Sequence, residues 1–380
     1  MKRNCLLLFL LMATSIFLLL PYVLPKFLSY YYEKSFEPIV YKNADEFEKK
    51  LLKGTELLME KEIAVDENFM YYHTLGDFLF HLATRSSREV FEYGEFGYFL
   101  FFSYLYAQNR NYEKLRTRIE ERFFDYVVSN QTIKRNDQIS YGCLSSLLYS
   151  DKNNKNRNMY GKFCNLLIER IDSIQQADGV VRYRDGDDNQ QVDGIGFVAP
   201  FLFLYSDKFN DEKGNEIGHH MVAEYLKYGV DSKTGIPSQA YNVKTKIKNL
   251  RSNWGRGISW WLLGLMHDNY LSEDELHIVS KGDSTLISLF PTYHQYLGDS
   301  CRSMQDMSAT VPIIYYLYQK GLIHLTRTTF INIIAPYTDD KGIVRYNSPT
   351  IGKPLEKPNA FQCHFLTQGI ALYMLSVLPD

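Results

Sequence analysis

Tryptophan is almost missing from this sequence. The 380 residues hold three, at 254, 260 and 261, beside 30 tyrosines and 24 phenylalanines. So scarce and so concentrated a residue marks a place to look for function, although a local core cluster would use it the same way. A surplus of charge is missing too. Lys and Arg number 42 against 44 Asp and Glu, a formal charge of −2, which excludes nucleic-acid binding by bulk charge. The five cysteines form no CxxC pair and no His/Cys spacing suited to zinc, so neither a metal site nor a cofactor is read here. Cys143 and Cys164 fall on apolar faces of expected helices and read as buried thiols, with a disulfide left open for an oxidising compartment. What is present in quantity is apolar: 45% of residues, against 23% charged, the balance of a globular chain and not of a disordered one.

The one long apolar run lies at the amino end. Lys2 and Arg3 precede an uncharged stretch from Asn4 to Pro25, long enough to span a bilayer as a helix. A cleaved secretory signal has a similar outline. The run leaves through Leu20, Pro21, Tyr22, Val23, Leu24 and Pro25 without the small residues of a cleavage site, which favours an uncleaved anchor. The basic start would stay in the cytoplasm, with the body exported and membrane-anchored; secretion after cleavage is the alternative. The organisation expected is a signal anchor or signal peptide at 1–26, a linker at 27–42 and one domain at 43–380.

Beyond residue 40 the pattern is helical, in two classes that alternate. Segments 96–106, 195–205, 258–266, 311–318 and 365–378, and more weakly 139–149, are apolar nearly all round and must be covered on every side. Segments 44–59, 115–128, 159–174, 217–228, 273–289 and 322–334 carry one apolar stripe at helical spacing. Six buried and six half-buried helices in alternation imply two concentric rings, an all-α (α/α)6 barrel; an irregular helical array or solenoid is the plain alternative.

The buried helices begin in a repeated way. Asp137, Asp193, Arg256 and Asp306 each stand just before an apolar run. An acid at a helix start is commonly a cap, whereas a cation there is unfavourable. In such a barrel the inner helices start at one end, so these charges and the tryptophans would converge on one mouth. Aromatic faces suit sugar rings, arginine suits a carboxylate, and paired acids suit proton transfer.

Here the sequence resembles a known family. Asn253-Trp-Gly-Arg-Gly-Ile-Ser-Trp-Trp261 is similar to the Trp-Gly-Arg-Gly-Asn-Gly-Trp signature of the unsaturated glucuronyl and rhamnogalacturonyl hydrolases, glycoside hydrolase families 88 and 105. Gln191-Val-Asp-Gly-Ile-Gly-Phe-Val-Ala-Pro-Phe201 resembles that family's Asp-x-x-x-Met-x-x-Pro-Phe helix start. Asn136-Asp-Gln-Ile-Ser-Tyr-Gly142 and Asp231-Ser-Lys-Thr-Gly-Ile236 resemble two further segments, in order. The resemblance implies an (α/α)6 barrel that removes a 4,5-unsaturated uronic acid from lyase-generated oligosaccharides by hydrating its vinyl ether. It implies Asp193 as general acid and Asp137 as second essential acid. Arg256 and Trp260 become substrate contacts, with Tyr93 as an aromatic of the first inner helix. Asp306 has no family counterpart and reads as a cap.

The departures are specific. Ile258-Ser259 replaces Asn-Gly, Val198 replaces the usual Met, and Gln239 follows the Thr-Gly loop where the family carries a His; Gln239 can hydrogen-bond but not titrate. His364 begins the last inner helix and is a further candidate for the mouth. His219 and His220 fall mid-helix on an outer element and read as packing or solvent positions. A saccharide-binding relative with impaired catalysis, serving polysaccharide assembly or export, is the competing function. An epimerase or lyase of the same shape is a third.

Overall fold

The computed structural model describes residues 34–60, 91, 93–129, 132–184, 186–249, 255–291, 294–296, 303–347 and 363–380, with positions 12, 14 and 15. Twelve α-helices lie among them. The inner set is α2 (Gly94–Asn109), α4 (Tyr141–Ser150), α6 (Val192–Phe209), α8 (Gly255–Gly264), α10 (Met307–Gln319) and α12 (Phe365–Val377). The outer set is α1 (Ala44–Glu60), α3 (Glu113–Ser129), α5 (Arg157–Ile174), α7 (Glu212–Tyr228), α9 (Glu273–Leu289) and α11 (Arg327–Ile334). The two classes read from the sequence correspond to these two sets. In α2 the buried residues include Phe96, Tyr98, Phe99, Leu100 and Phe102, on every side of the helix. In α3 they are Leu115, Ile119, Phe123, Tyr126 and Val127, a single stripe.

Each inner helix packs against the next, and α12 packs against α2, which closes the ring. A closed ring leaves no terminal helix with a bare apolar face, the problem an open helical array must solve with caps.

Two inner helices contain a proline, Pro200 in α6 and Pro312 in α10. A helical proline lacks the N–H that would bond the carbonyl four residues earlier. In α6 that carbonyl is Gly196 O, and the Tyr98 hydroxyl of α2 donates to it. In α10 it is Ser308 O, and the Ser259 hydroxyl of α8 donates to it. A hydroxyl from another inner helix thus answers each break and stitches the ring. Ser259 is one of the residues that depart from the family signature, and this is its structural task. Ser259→Ala should remove this hydrogen bond to the buried Ser308 carbonyl and destabilise the protein by about 1–3 kcal/mol, measured by denaturant unfolding at unchanged m-value.

Some boundaries differ from expectation. Helix α8 starts at Gly255, so Arg256 lies inside its first turn. Residues Asn136–Ser140 form a separate 3₁₀ turn ahead of α4. Helix α11 starts only at Arg327, because the Thr326 hydroxyl accepts from Thr329 N at 3.2 Å and caps it there. A three-stranded antiparallel sheet, β1 (Asn189–Gln191), β2 (Ala240–Asn242) and β3 (Lys248–Asn249), lies beside the start of α6. A second pair, β4 (His294–Tyr296) and β5 (Ser303–Gln305), leads into α10.

Part of the expected linker is docked: Ile39 N donates to Thr338 O at 2.8 Å, and Phe36 packs edge-on against Tyr346. No helix among the described residues is long and apolar enough to cross a membrane. The apolar run expected to be an anchor or signal lies outside the described residues, apart from three positions.

Candidate active site

The starts of the inner helices meet. Gly94 N at the head of α2 points to Asp137 Oδ2 at 3.5 Å, and the Ser140 hydroxyl donates to Gly94 O at 2.7 Å. Glu95 of α2 forms an ion pair with Arg256 of α8 and lies 3.4 Å from His364 Nε2, just ahead of α12. Gly255 of α8 is pressed against the cap of α10, where an added Cβ would fall 2.1 Å from Asp306 Oδ2.

Asp137 is held by a two-pronged fork. Arg135 Nε donates to Oδ1 at 3.0 Å and Nη2 to Oδ2 at 2.6 Å, the geometry in which guanidinium binds carboxylate most firmly. The same guanidinium lies 5.7 Å from the Tyr93 ring centre. The Tyr93 carbonyl accepts from the Tyr141 hydroxyl at 2.8 Å, which fixes the backbone on which the ring sits.

Asp193 is the second residue of α6. Ahead of it, Val192 N donates to Gln239 O at 2.9 Å, and β1 pairs with β2 at Gln191 and Ala240. This holds Gln239 beside the helix start. Asp193 Oδ2 is sealed from solvent and takes no hydrogen bond among the described residues. Burial disfavours the charged carboxylate and pushes its pKa up to about 7. The Asp193 backbone N–H and the charge of Arg184 oppose that rise, and the charge of Asp137 adds to it. Two acids in one neighbourhood therefore differ in kind, one forked by arginine, the other with an oxygen shut off from solvent and able to carry a proton near neutral pH.

Arg256 and Trp260 do not stand open at the mouth. Arg256 is 1% exposed, with its charge met by Glu95. Trp260 is also 1% exposed, its ring centre 4.3 Å from Phe197 and 5.7 Å from His364. It reaches this depth because Gly196 has no side chain; a Cβ there would lie 2.6 Å from Trp260 Cβ. His364 is buried as well. Its Nδ1 lies 2.8 Å from the Thr367 hydroxyl. Burial, reinforced by the charge of Arg256, holds its pKa well below the usual imidazole value, so the ring is neutral. Asp306 is a cap as expected: its Oδ1 accepts from Ser308 N at 2.9 Å and from the Ser308 hydroxyl at 2.5 Å.

A cavity of about 360 Å³ opens beside Asp137, lined by segment 134–137 with Arg170, Tyr183 and Arg184. That volume is in the range of small-molecule sites, roughly 300–1,000 Å³. Among the described residues no group of three or more His, Cys, Asp or Glu could hold a metal ion.

With this geometry in hand, the chain can be set beside known proteins. No protein-family model and no curated protein matches it. Solved structures do. A possible member of glycoside hydrolase family 105 from Klebsiella pneumoniae superposes with a TM-score of 0.67 at 15% identity, over 90% of this chain and 94% of that one. The unsaturated glucuronyl hydrolase of Bacillus sp. GL1, responsible for the degradation of glycosaminoglycan, gives 0.54 at 15% identity, over 74% of this chain and 85% of that one. A polysaccharide lyase gives 0.53 at 12% identity, over 86% of this chain and 96% of that one. The fold is that of the unsaturated glucuronyl hydrolases. The resemblance read from the motifs therefore holds at the level of the fold, and the lyase shows that this fold also serves other chemistry.

Within this hydrolase fold, the structure brings Asp137, Tyr93, Glu95, Arg256 and His364 together at one end, with Asp193 and Gln239 beside them. Glu95 is the member that sequence reasoning missed. Its signal was present, since it directly precedes the apolar run from Phe96, and a buried arginine demands a counter-charge. Trp261 packs against Tyr225 at 5.5 Å and is core. His219 and His220 lie on outer helix α7, near Glu275 Oε2 at 3.5 Å and Asp178 O at 2.7 Å. Cys143, Cys164 and Cys363 are buried free thiols. Trp254, Cys5 and Cys301 lie outside the described residues.

Proposed function

We propose that the chain is a glycoside hydrolase of the unsaturated uronyl type, acting on the 4,5-unsaturated non-reducing end of oligosaccharides left by a polysaccharide lyase. The observation that carries this reading is Asp193, a half-buried residue with Oδ2 shut off from solvent and a pKa raised to about 7, at the start of an inner helix and within reach of the Asp137 charge. In this reading the Asp193 carboxyl gives its proton to C4, and positive charge develops at C5, shared with the ring oxygen. Water adds at C5 and returns a proton to the carboxylate of Asp193 or Asp137. The resulting hemiketal opens to a ketone at C5 and a hemiacetal at C1, which collapses to an aldehyde and frees the remaining saccharide. Tyr93 and Gln239 flank the acids as substrate contacts, while Arg256, Trp260 and His364 form the wall behind them. The Arg135 fork fixes the position of Asp137 beside the protonated Asp193.

The test is direct. Incubation with unsaturated disaccharides should remove the ultraviolet absorbance of the conjugated double bond. A panel of glucuronyl and galacturonyl substrates that all keep their absorbance would overturn the reading. One observation favours the alternative, a binding relative with impaired catalysis: both oxygens of Asp137 are occupied by Arg135, and the tryptophan expected to stack on the sugar is sealed. Calorimetric binding of saturated and unsaturated oligosaccharides without turnover would select it.

Export and anchoring through the amino-terminal run belong to the same proposal. Membrane fractionation of the full chain tests them; recovery of all of it as soluble protein beginning at Met1 would overturn them.

A further inference from the structure

Tyr98 stands inside the barrel, one turn in from the site, and joins three inner helices. It belongs to α2 and follows Glu95 by about one turn. Its hydroxyl donates to Gly196 O of α6 and faces the Cys143 thiol of α4. Helix α4 stands between α2 and α6 in the ring, so the side chain reaches past a whole helix. Its ring lies 6.2 Å from Trp260 and 6.4 Å from Phe197. Burial holds its pKa well above the ordinary tyrosine value, so the hydroxyl keeps its proton and stays a donor at every working pH.

The carbonyl it meets is a special one. Gly196 follows Asp193 by about one turn of α6, and Pro200 has no N–H to close that turn from within. The Tyr98 hydroxyl closes it instead. The other end of the connection is equally tight. A Cβ added at Gly94 would fall 2.1 Å from Asp137 O, and one added at Gly97 would fall 2.8 Å from Ser140 Oγ. The first turns of α2 are thus pressed against the segment that carries Asp137. Direct contacts run from that segment through α2 to the Tyr98 hydroxyl, and from there to the turn that carries Asp193.

We propose that Tyr98 is a positioning residue: through Gly196 O it fixes the first turn of α6, and with it the place of the Asp193 carboxyl relative to Asp137. It works through the backbone and not on the substrate. The proposal rests on the hydrolase reading above for the meaning of turnover, but a titration reads it without turnover. Asp193 Oδ2 is shut off from solvent, and burial is the main cause of its raised pKa. The charged and titratable groups facing Asp193 are Arg184 and Tyr183 ahead of β1, Asp137 with its Arg135 fork, and Tyr225 of α7. On α8, packed against α6, the charge of Arg256 is met by Glu95. None of these groups is altered in Tyr98→Phe. A turn that opens admits water to Oδ2, which favours the carboxylate, so Asp193 should then titrate at lower pH.

The test compares the unaltered chain with Tyr98→Phe, Pro200→Ala and the double variant Tyr98→Phe/Pro200→Ala. Phenylalanine keeps the ring and removes the donor. Alanine at 200 offers Gly196 O a donor from within α6. In Tyr98→Phe, kcat on an unsaturated disaccharide should fall about 10- to 100-fold, with KM changed by less than about twofold. The Asp193 carboxyl carbon, followed by NMR, should titrate at lower pH. Pro200→Ala alone should stay near the unaltered protein, and the double variant should regain both the rate and the titration. Denaturant unfolding gives the folded fraction of each protein, so lost stability is not mistaken for lost positioning. If Tyr98→Phe leaves no folded protein, the double variant decides: unaltered kcat and titration support the proposal, and loss of both overturns it. A folded Tyr98→Phe that keeps its kcat and its Asp193 titration overturns it, as does a double variant as slow as the single one. Absence of turnover by the unaltered chain overturns the hydrolase reading. The titrations then decide alone, a fall that recovers in the double variant supporting the role of Tyr98 and an unmoved Asp193 overturning it.

Discussion

Asp193→Asn should abolish turnover while making the protein more stable at neutral and alkaline pH. The two effects have one origin. Its Oδ2 is shut off from solvent and takes no hydrogen bond among the described residues, and burial raises its pKa from 3.8 to about 7. In the unfolded chain it ionises at its ordinary value. Between those values the folded state holds a proton that the unfolded state has released, so stability falls as pH rises through this window. Above about pH 7 the native protein must bear a buried carboxylate, and the penalty reaches about 4 kcal/mol. Asparagine has the shape of the neutral acid and no charge, so its stabilising effect should be full at pH 8 and shrink to below about 1 kcal/mol at pH 4. Loss of the proton donor should lower kcat between about 10² and 10⁴-fold. Denaturant unfolding at the two pH values and the absorbance assay measure both. An inactive variant with no gain at pH 8 would mean that the carboxyl is not held protonated. A variant that kept full activity would remove Asp193 from the proposed chemistry.

How far the site could be read in advance differs from residue to residue. The two rings were legible because burial on all sides and burial on one side leave different patterns along a helix, and α2 beside α3 shows both. Asp193, Asp137 and Asp306 were legible as acids ahead of apolar runs, but linear order does not distinguish their fates. Asp306 caps its helix, Asp137 is gripped by a guanidinium, and Asp193 has its Oδ2 shut off from solvent. The depth of Trp260 was hidden for a similar reason. A ring near a helix start can face the mouth or the interior, and here the missing side chain of Gly196, on another helix, draws it inward. Pro200 and Pro312 announced two free carbonyls, but nothing in the order of residues said that Tyr98 and Ser259 would supply the hydroxyls. In each case the local signal lay in the sequence and the partner lay across the ring.

Glu95 and Arg256 show the largest consequence of such a partnership. Arg256 is 1% exposed and stands in the first turn of α8, where the helix dipole disfavours a cation. Both penalties are offset by the Glu95 carboxylate, brought from α2 by ring closure. Glu95→Ala should therefore take the Glu95 counter-charge from a buried guanidinium and destabilise the protein by about 3–5 kcal/mol. Arg256→Met removes the charge and fills most of the space with an apolar chain. Combining the two substitutions should then cost less than Glu95→Ala alone, since replacing a buried pair by apolar groups is often close to neutral. The double-mutant cycle, read from denaturant midpoints at constant m-value, isolates this coupling. His364 supplies a second readout, because the charge of Arg256 contributes to its low pKa. In Arg256→Met the imidazole should titrate at a higher pH than in the unaltered protein, as followed by its ring-proton resonances, with burial alone still keeping it below the ordinary value. Strictly additive losses in the cycle, with no movement of His364, would show that Glu95 and Arg256 are neighbours without being partners. The closure of the barrel at this end would then have to rest on the apolar contacts between α2 and α12 and on the Tyr98 and Ser259 hydroxyls.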